Sequence, residues 1–271
     1  MGIEFHADKF LRYCVARQPL KSVATLGRQH LLLPEMKLKF GRYCEPMLVS
    51  LGAELVESYD ASGYEGATRI ADFNLPLHPP RLYDTVIDCG TVEHIFDIAQ
   101  ALKNISALCA VGGQVIHVAP ANNFCGHGFW QLSPELFFSF YSKANGFSDI
   151  EVYTTTVKPS AFWFRVSRPA NGARVEVMSS EPIYILCRAV KRWQCPIEVQ
   201  QSDYIVHWSA PGQDLPKKAY VRWLSQHPGL YKFAYDAKGQ LARWQRNGRC
   251  GLNSRNPHLA RHRIADLLQP S

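Results

Sequence analysis

The sequence predicts an α/β protein: a doubly wound, mostly parallel sheet with an antiparallel edge, followed by a small C-terminal α+β appendage. Three observations lead there. Between Ser22 and Pro120, short β-type runs alternate with helical stretches, the spacing expected of βαβ units. Hydrophobic residues make up 46% and charged residues 20% of 271 positions, enough apolar content for a core and too little charge for a disordered chain. The formal charge of +7 is unevenly placed: residues 1–190 hold 17 Lys or Arg against 18 Asp or Glu, whereas residues 191–271 hold 13 against 5. That shift, with four of the six tryptophans beyond it (Trp193, Trp208, Trp223, Trp244), predicts a boundary near Lys191–Pro196. The expected domains are therefore 1–190 and a basic, aromatic-rich 191–271.

The elements follow in order. Asp8–Arg17 is amphipathic, and Ser22–Gly27 is the first strand. Leu38–Leu51 reads as helix interrupted at Pro46, Glu54–Tyr59 as the second strand ending at Asp60, and Thr68–Ala71 as a short third. Tyr83–Ile87 is the fourth strand, Ile95–Leu108 a helix, and the Val111-Gly112-Gly113 turn leads into a fifth strand, Gln114–Ala119, closed by Pro120. Ser133-Pro134-Glu135 starts a helix, with Ser as N-cap and Pro at the first helical position, that stops at Asn145-Gly146. Ile150–Thr156 and Ile183–Val190 form a hairpin-like pair at the sheet edge. In the tail, Leu215–Gln226 reads as helix, Leu230–Trp244 as two short strands about Asp236–Gly239, and Asn256-Pro257 as the start of a final amphipathic helix.

No run of about 18 apolar residues exists, and the first ten residues lack a signal or transit pattern, which predicts a cytosolic protein with no membrane span. The eight cysteines lack metal-knuckle spacing and several sit in apolar runs, so buried thiols are expected and no metal site is read from them.

Residues 83–120 (YDTVIDCGTVEHIFDIAQALKNISALCAVGGQVIHVAP) place an Asp at a strand end, a Glu-His pair after it, a helix, and a Gly-Gly turn into the next strand. Upstream, VESYDAS (56–62) ends a strand in an acid, and IADFNLPL (70–77) carries an Asp in the following loop. In order and spacing these blocks resemble the class I S-adenosylmethionine-dependent methyltransferases, with a Rossmann-like sheet, over about residues 1–190. The resemblance implies that S-adenosylmethionine is the cofactor. It also implies roles: Asp60 accepting from the ribose hydroxyls, Asp72 from the adenine amine, Phe73 against the ring, and Asp88, Cys89 and Gly90 as the wall under the adenosine. Glu93 would orient cofactor or acceptor.

The first motif departs from the family. Where a Gly-x-Gly-x-Gly turn is expected, the chain reads Thr25-Leu26-Gly27-Arg28-Gln29-His30, with one glycine. Either Gly27 alone makes the close approach and Arg28 binds the cofactor carboxylate, or the pocket no longer binds cofactor.

Asn122–Leu132 (NNFCGHGFWQL) follows the fifth strand on the same side of the sheet and predicts an acceptor floor or lid, with Asn122, Asn123, Trp130 and Gln131 as acceptor contacts and His127 and His94 as candidate bases. Two functions compete at this point. One is methyl transfer to a small-molecule or carbohydrate-type acceptor, the tail helping to shape the acceptor site or a homo-oligomer contact. The other is a non-catalytic Rossmann-like module whose basic tail engages an anionic partner. Because residues 1–190 are near neutral and no RNA-binding motif appears, nucleic acid is the less favoured partner.

Overall fold

A computed structural model of the chain describes residues 2–169, 175–198 and 249–269, together with 226–227, 229–233, 236–237 and 239–240. In chain order the elements are β1 (Gly2–Ile3), α1 (Phe5–Val15), β2 (Lys21–Leu26), β3 (His30–Leu31), α2 (Pro34–Phe40), α3 (Glu45–Ser50), β4 (Ala53–Asp60), β5 (Arg69–Ile70), β6 (Tyr83–Cys89), α4 (Ile98–Leu108), β7 (Cys109–Pro120), α5 (Pro134–Phe140), β8 (Phe147–Thr156), β9 (Phe162–Val166), β10 (Ile183–Lys191), β11 (Leu259–Arg263) and α6 (Ile264–Leu267). A 3-10 turn, Val92–His94, precedes α4.

Nine strands form one sheet in the order β11-β9-β8-β10-β7-β6-β2-β4-β5. The block from β7 to β5 is parallel throughout. Its strands, counted along the chain, lie in the order 5-4-1-2-3, the reversal about the first strand that defines a doubly wound Rossmann-like sheet. The rest is antiparallel: β10 inserts between β7 and β8, and β9 and β11 continue beyond them.

Alternation along the strands feeds two cores. On one face Ala24, Val86, Val115 and Ala119 pack with Leu102, Ile105 and Phe137 of α4 and α5. On the other, Val23, Ile87, Ile116 and Val118 pack with Phe10, Leu11, Met47 and Leu48 of α1 and α3. A parallel sheet covered on both faces reads as near-continuous apolar runs, as β6 and β7 do.

Several boundaries differ from expectation for local reasons. The helix expected from Ile95 begins at Ile98, because the Asp97 carboxylate accepts from Gln100 N at 2.9 Å and so makes Asp97 the cap. The helix expected to reach Asn145 ends at Phe140; Ser133 caps it as expected, accepting from Glu135 N. The expected final helix is mostly strand: β11 pairs with β9 from Leu259↔Val166 to Arg263↔Phe162, and only Ile264–Leu267 is helical. The appendage is thus not separate at its end, since it supplies the outermost strand of the main sheet. Residues 230–233, within a helical stretch from 229, are helical where strand is expected. The expected helix at 215–226 and most of the strand pair at 230–244 lie outside the described residues. Cys14, Cys44, Cys89, Cys109 and Cys187 are buried and Cys125 is exposed. Among the described residues, no helix is long and apolar enough to cross a membrane.

Candidate active site

The carboxyl ends of β2, β4 and β6 converge where the strand order reverses, the position at which doubly wound sheets bind ligands. A cavity of about 230 Å³ lies there, lined by Leu26, Gly27, Tyr59, Asp60, Asp72, Phe73, Asn74, Thr91, His94 and Ile95, with Ala61 and Ala71. Four of the expected cofactor residues, Gly27, Asp60, Asp72 and Phe73, therefore share one space.

Each is placed by backbone. Gly27 ends β2 at φ +68°, a left-handed conformation that glycine adopts without strain, and its N–H donates to Tyr59 O at 2.7 Å. A Cβ there would lie 3.1 Å from Thr91 Oγ1 and 4.0 Å from Asp60 Oδ2, so the missing side chain keeps the space beside Asp60 open. Asp60 is the last residue of β4, and its carbonyl accepts from Ala71 N at 2.8 Å, which brings the Asp72 loop alongside. Asp72 Oδ1 accepts from Asn74 N (2.9 Å) and Nδ2 (2.8 Å), and these bonds hold its carboxyl below the usual range. Asn104 on α4 pins the loop by donating to Phe73 O and Leu75 O. The Phe73 ring is buried edge-on to Tyr59.

The expected wall residues sit behind the cavity. Asp88 is fully buried: Oδ1 accepts from Thr91 N (2.9 Å) and Val92 N (3.3 Å), while Oδ2 meets His117 Nδ1 at 2.8 Å. His117 Nε2 in turn meets the Tyr141 hydroxyl at 2.6 Å. Asp88 thus holds the turn after β6 and does not line the cavity. Cys89 packs in the core on the other face, its thiol pushed well up by burial, and Gly90 (φ +80°) makes the turn. Thr91 takes the wall position instead.

Arg28 also differs from expectation. Its Nε donates to Glu45 Oε1 at 2.7 Å, its Nη1 to Glu65 O at 2.7 Å, and its guanidinium stacks on Tyr43 at 3.9 Å, outside the cavity. The next residue closes the loop: Gln29, 1% exposed, donates from Nε2 to Leu26 O and to Thr91 Oγ1 (3.1 Å), and Thr91 Oγ1 donates to Leu26 O at 2.8 Å. After β2 the chain enters β3, which pairs with β1, rather than running directly into a helix.

A polar cluster borders this cavity. Glu93 and His94 lie on the 3-10 turn, and His127 comes from the loop after β7. Glu93 Oε1 is 3.6 Å from His127 Nε2 and 3.7 Å from His94 Nε2. The Glu93 side chain is fully buried, and burial together with the Asp88 charge pushes its carboxyl up to about 8. Burial and the neighbouring His127 push His94 down. The Trp130 indole donates to Ile95 O at 3.0 Å, and Phe96 and Phe129 meet edge to face on the exposed lip.

The remaining acceptor candidates divide. Asn122 and Gln131 line a second cavity of about 330 Å³ with Thr154, Ile183 and Ile185. Asn123 is structural, its amide donating to Ser179 O and Glu181 O at a left-handed position (φ 65°). The sequence does not single out Thr91, Tyr59 or Asn74. The signal for Thr91 was its place directly after Asp88-Cys89-Gly90.

No family model matches the chain, and no curated protein matches it. Among solved structures, the YcgJ protein from Bacillus subtilis is similar at 12% identity over 70% of this chain and 100% of that one, with a TM-score of 0.42. The N-methyltransferase NodS from Bradyrhizobium japonicum WM9 is similar at 11% identity over 69% and 94%, TM-score 0.45. The phosphoethanolamine N-methyltransferase 2 of Haemonchus contortus, solved with S-adenosylhomocysteine, is similar at 13% identity over 69% and 53%, TM-score 0.43.

Proposed function

We propose that this protein is an S-adenosylmethionine-dependent methyltransferase acting on a small-molecule or carbohydrate-type acceptor. One observation carries the reading: two carboxylates, Asp60 at the end of β4 and Asp72 in the loop just after β5, share a cavity with a buried aromatic ring and a left-handed glycine at the switch point of a doubly wound sheet. The residues fit an adenosine. Asp60 presents a carboxylate that accepts from two adjacent hydroxyls, Asp72 accepts from an exocyclic amine, and Phe73 supplies the apolar surface beside the base. The bound cofactor supplies an electrophilic methyl group. The chain contributes position: His94 reaches the cavity from the side on which Glu93, His127 and Trp130 cluster, so an acceptor would enter and be held there. The proton of a hydroxyl or amine acceptor would leave on the open side of the same cluster, toward solvent.

Gln29 favours a second reading, a binding module without catalysis, because its side chain fills the place beneath Gly27. Titration calorimetry with S-adenosylhomocysteine separates the two. Methyl transfer requires one site per chain, weakened at least about tenfold by Asp60→Ala, since a hydrogen bond to a charged group is worth about 1.5–3 kcal/mol. Absence of heat at millimolar ligand leaves only the binding module.

A further inference from the structure

We infer that Glu93, His94 and His127 form a binding site for a divalent transition-metal ion. Their donor atoms lie within 4.8 Å of one another. The arrangement is fastened by backbone: Phe129 N and Trp130 N donate to Glu93 O at 2.7 and 3.2 Å, which lays the His127 loop on the 3-10 turn. Gly128 makes that approach possible, because a Cβ there would sit 2.7 Å from Glu93 O, and its φ of +77° suits glycine.

The Glu93 carboxylate is what calls for an ion. It is wholly buried, and neither oxygen has a hydrogen-bond partner. Both imidazoles stop at 3.6–3.7 Å, beyond hydrogen-bond reach. A buried acid left in that state is costly, and a cation between the three groups satisfies it. Tetrahedral ligands at about 2.0–2.1 Å from zinc lie about 3.3 Å apart, so each histidine moves a few tenths of an ångström toward Glu93, and the set as a whole, within 4.8 Å, draws in by no more than about 1.5 Å. Two imidazole nitrogens and one carboxylate oxygen suit Zn²⁺ and neighbouring first-row ions over Mg²⁺ or Ca²⁺, which prefer oxygen ligands. Both histidines are partly exposed, at 39% and 48%, so the ion keeps a coordination position open toward the cavity that His94 lines. What the ion would do there rests on the methyltransferase reading: it would bind an acceptor oxygen and ease loss of its proton to water at the open side of the cluster, with the histidines as ligands and not bases.

The test is titration of the chelator-stripped full chain with Co²⁺, without cofactor, followed by visible absorption and by displacement with Zn²⁺. The expected result is one Co²⁺ per chain with ligand-field bands. His127→Ala and His94→Ala each weaken uptake at least tenfold, whereas Cys125→Ser, at the exposed thiol of the same loop, leaves it unchanged. Stoichiometric uptake that survives both histidine substitutions, uptake lost in Cys125→Ser, or no stoichiometric uptake overturns the inference. His127 lies on an exposed loop, so its variant decides the matter even if a change at Glu93 prevents folding. Because no cofactor is present, failure here leaves S-adenosylhomocysteine binding, and the reading that depends on it, untouched.

Discussion

Gly27 and its two followers show how single residues divide the work at the end of β2. Gly27 opens the cavity, Arg28 ties the loop to Glu45 and Tyr43, and Gln29 caps the Leu26 carbonyl. Gly27→Ala should cost about 1–2 kcal/mol for a left-handed alanine, and its Cβ should press on Thr91 and weaken S-adenosylhomocysteine binding. Arg28→Ala should leave that affinity unchanged. Calorimetry on both variants checks the assignment, and a loss of affinity in Arg28→Ala contradicts it. Asp60, Asp72 and Gly27 were legible in the sequence because an acid or glycine ending a β-type run carries its own position. Gln29 and Thr91 were not, because their roles exist only once chain segments 62 positions apart meet. Arg28 was misplaced for the same reason: sequence shows a guanidinium beside the glycine but not the Glu45 that claims it.

Between elements, one buried acid on β4 adds side-chain bonds to both β6 and β5. Tyr83 on β6 donates to Glu57 Oε2 on β4 at 2.5 Å, and Arg69 on β5 donates to Oε1 at 2.8 and 3.1 Å. Burial alone would raise the Glu57 carboxyl, but the Tyr83 hydroxyl and the Arg69 guanidinium outweigh it and hold it below the ordinary range. A carboxyl depressed in the folded state stabilises the fold above its unfolded pKa, and the contribution is lost as pH falls through the folded value. Glu57→Gln should therefore melt below the native protein at pH 7, and the difference should begin to shrink below about pH 4 and vanish only once pH has fallen past the depressed folded value. Tyr83→Phe should cost about 1–3 kcal/mol at neutral pH, read from denaturant unfolding. The parallel strands themselves were legible from their apolar runs. β9 was not, since it lies within what reads as a long connection, although Trp163 on it is wholly buried against Phe10 and Tyr153. β11 was read as helix because Leu259, Ile264 and Leu267 fit a helical stripe; pairing with the edge of β9 overrode that pattern.

At the scale of the molecule, β11 closes the antiparallel flank and buries Leu259, and α6 buries Ile264. Removing residues 259–271 should bare the β9 edge and lose the burial of two aliphatic side chains, each worth about 1.5–3 kcal/mol. Thermal unfolding should occur at lower temperature, and light scattering should show concentration-dependent association through the exposed edge. An unchanged melting temperature contradicts that role for β11. The charge shift at Lys191 marked a change of composition, yet the chain beyond it returns to the same sheet, a connection that composition does not encode. The central claim is that the cavity at the ends of β2, β4 and β6 holds an adenosine. A crystal structure grown with S-adenosylhomocysteine tests it most directly. The account predicts ribose density within hydrogen-bond distance of the Asp60 carboxylate and adenine beside Asp72 and Phe73. Ligand density elsewhere on the molecule, with this cavity empty, contradicts it.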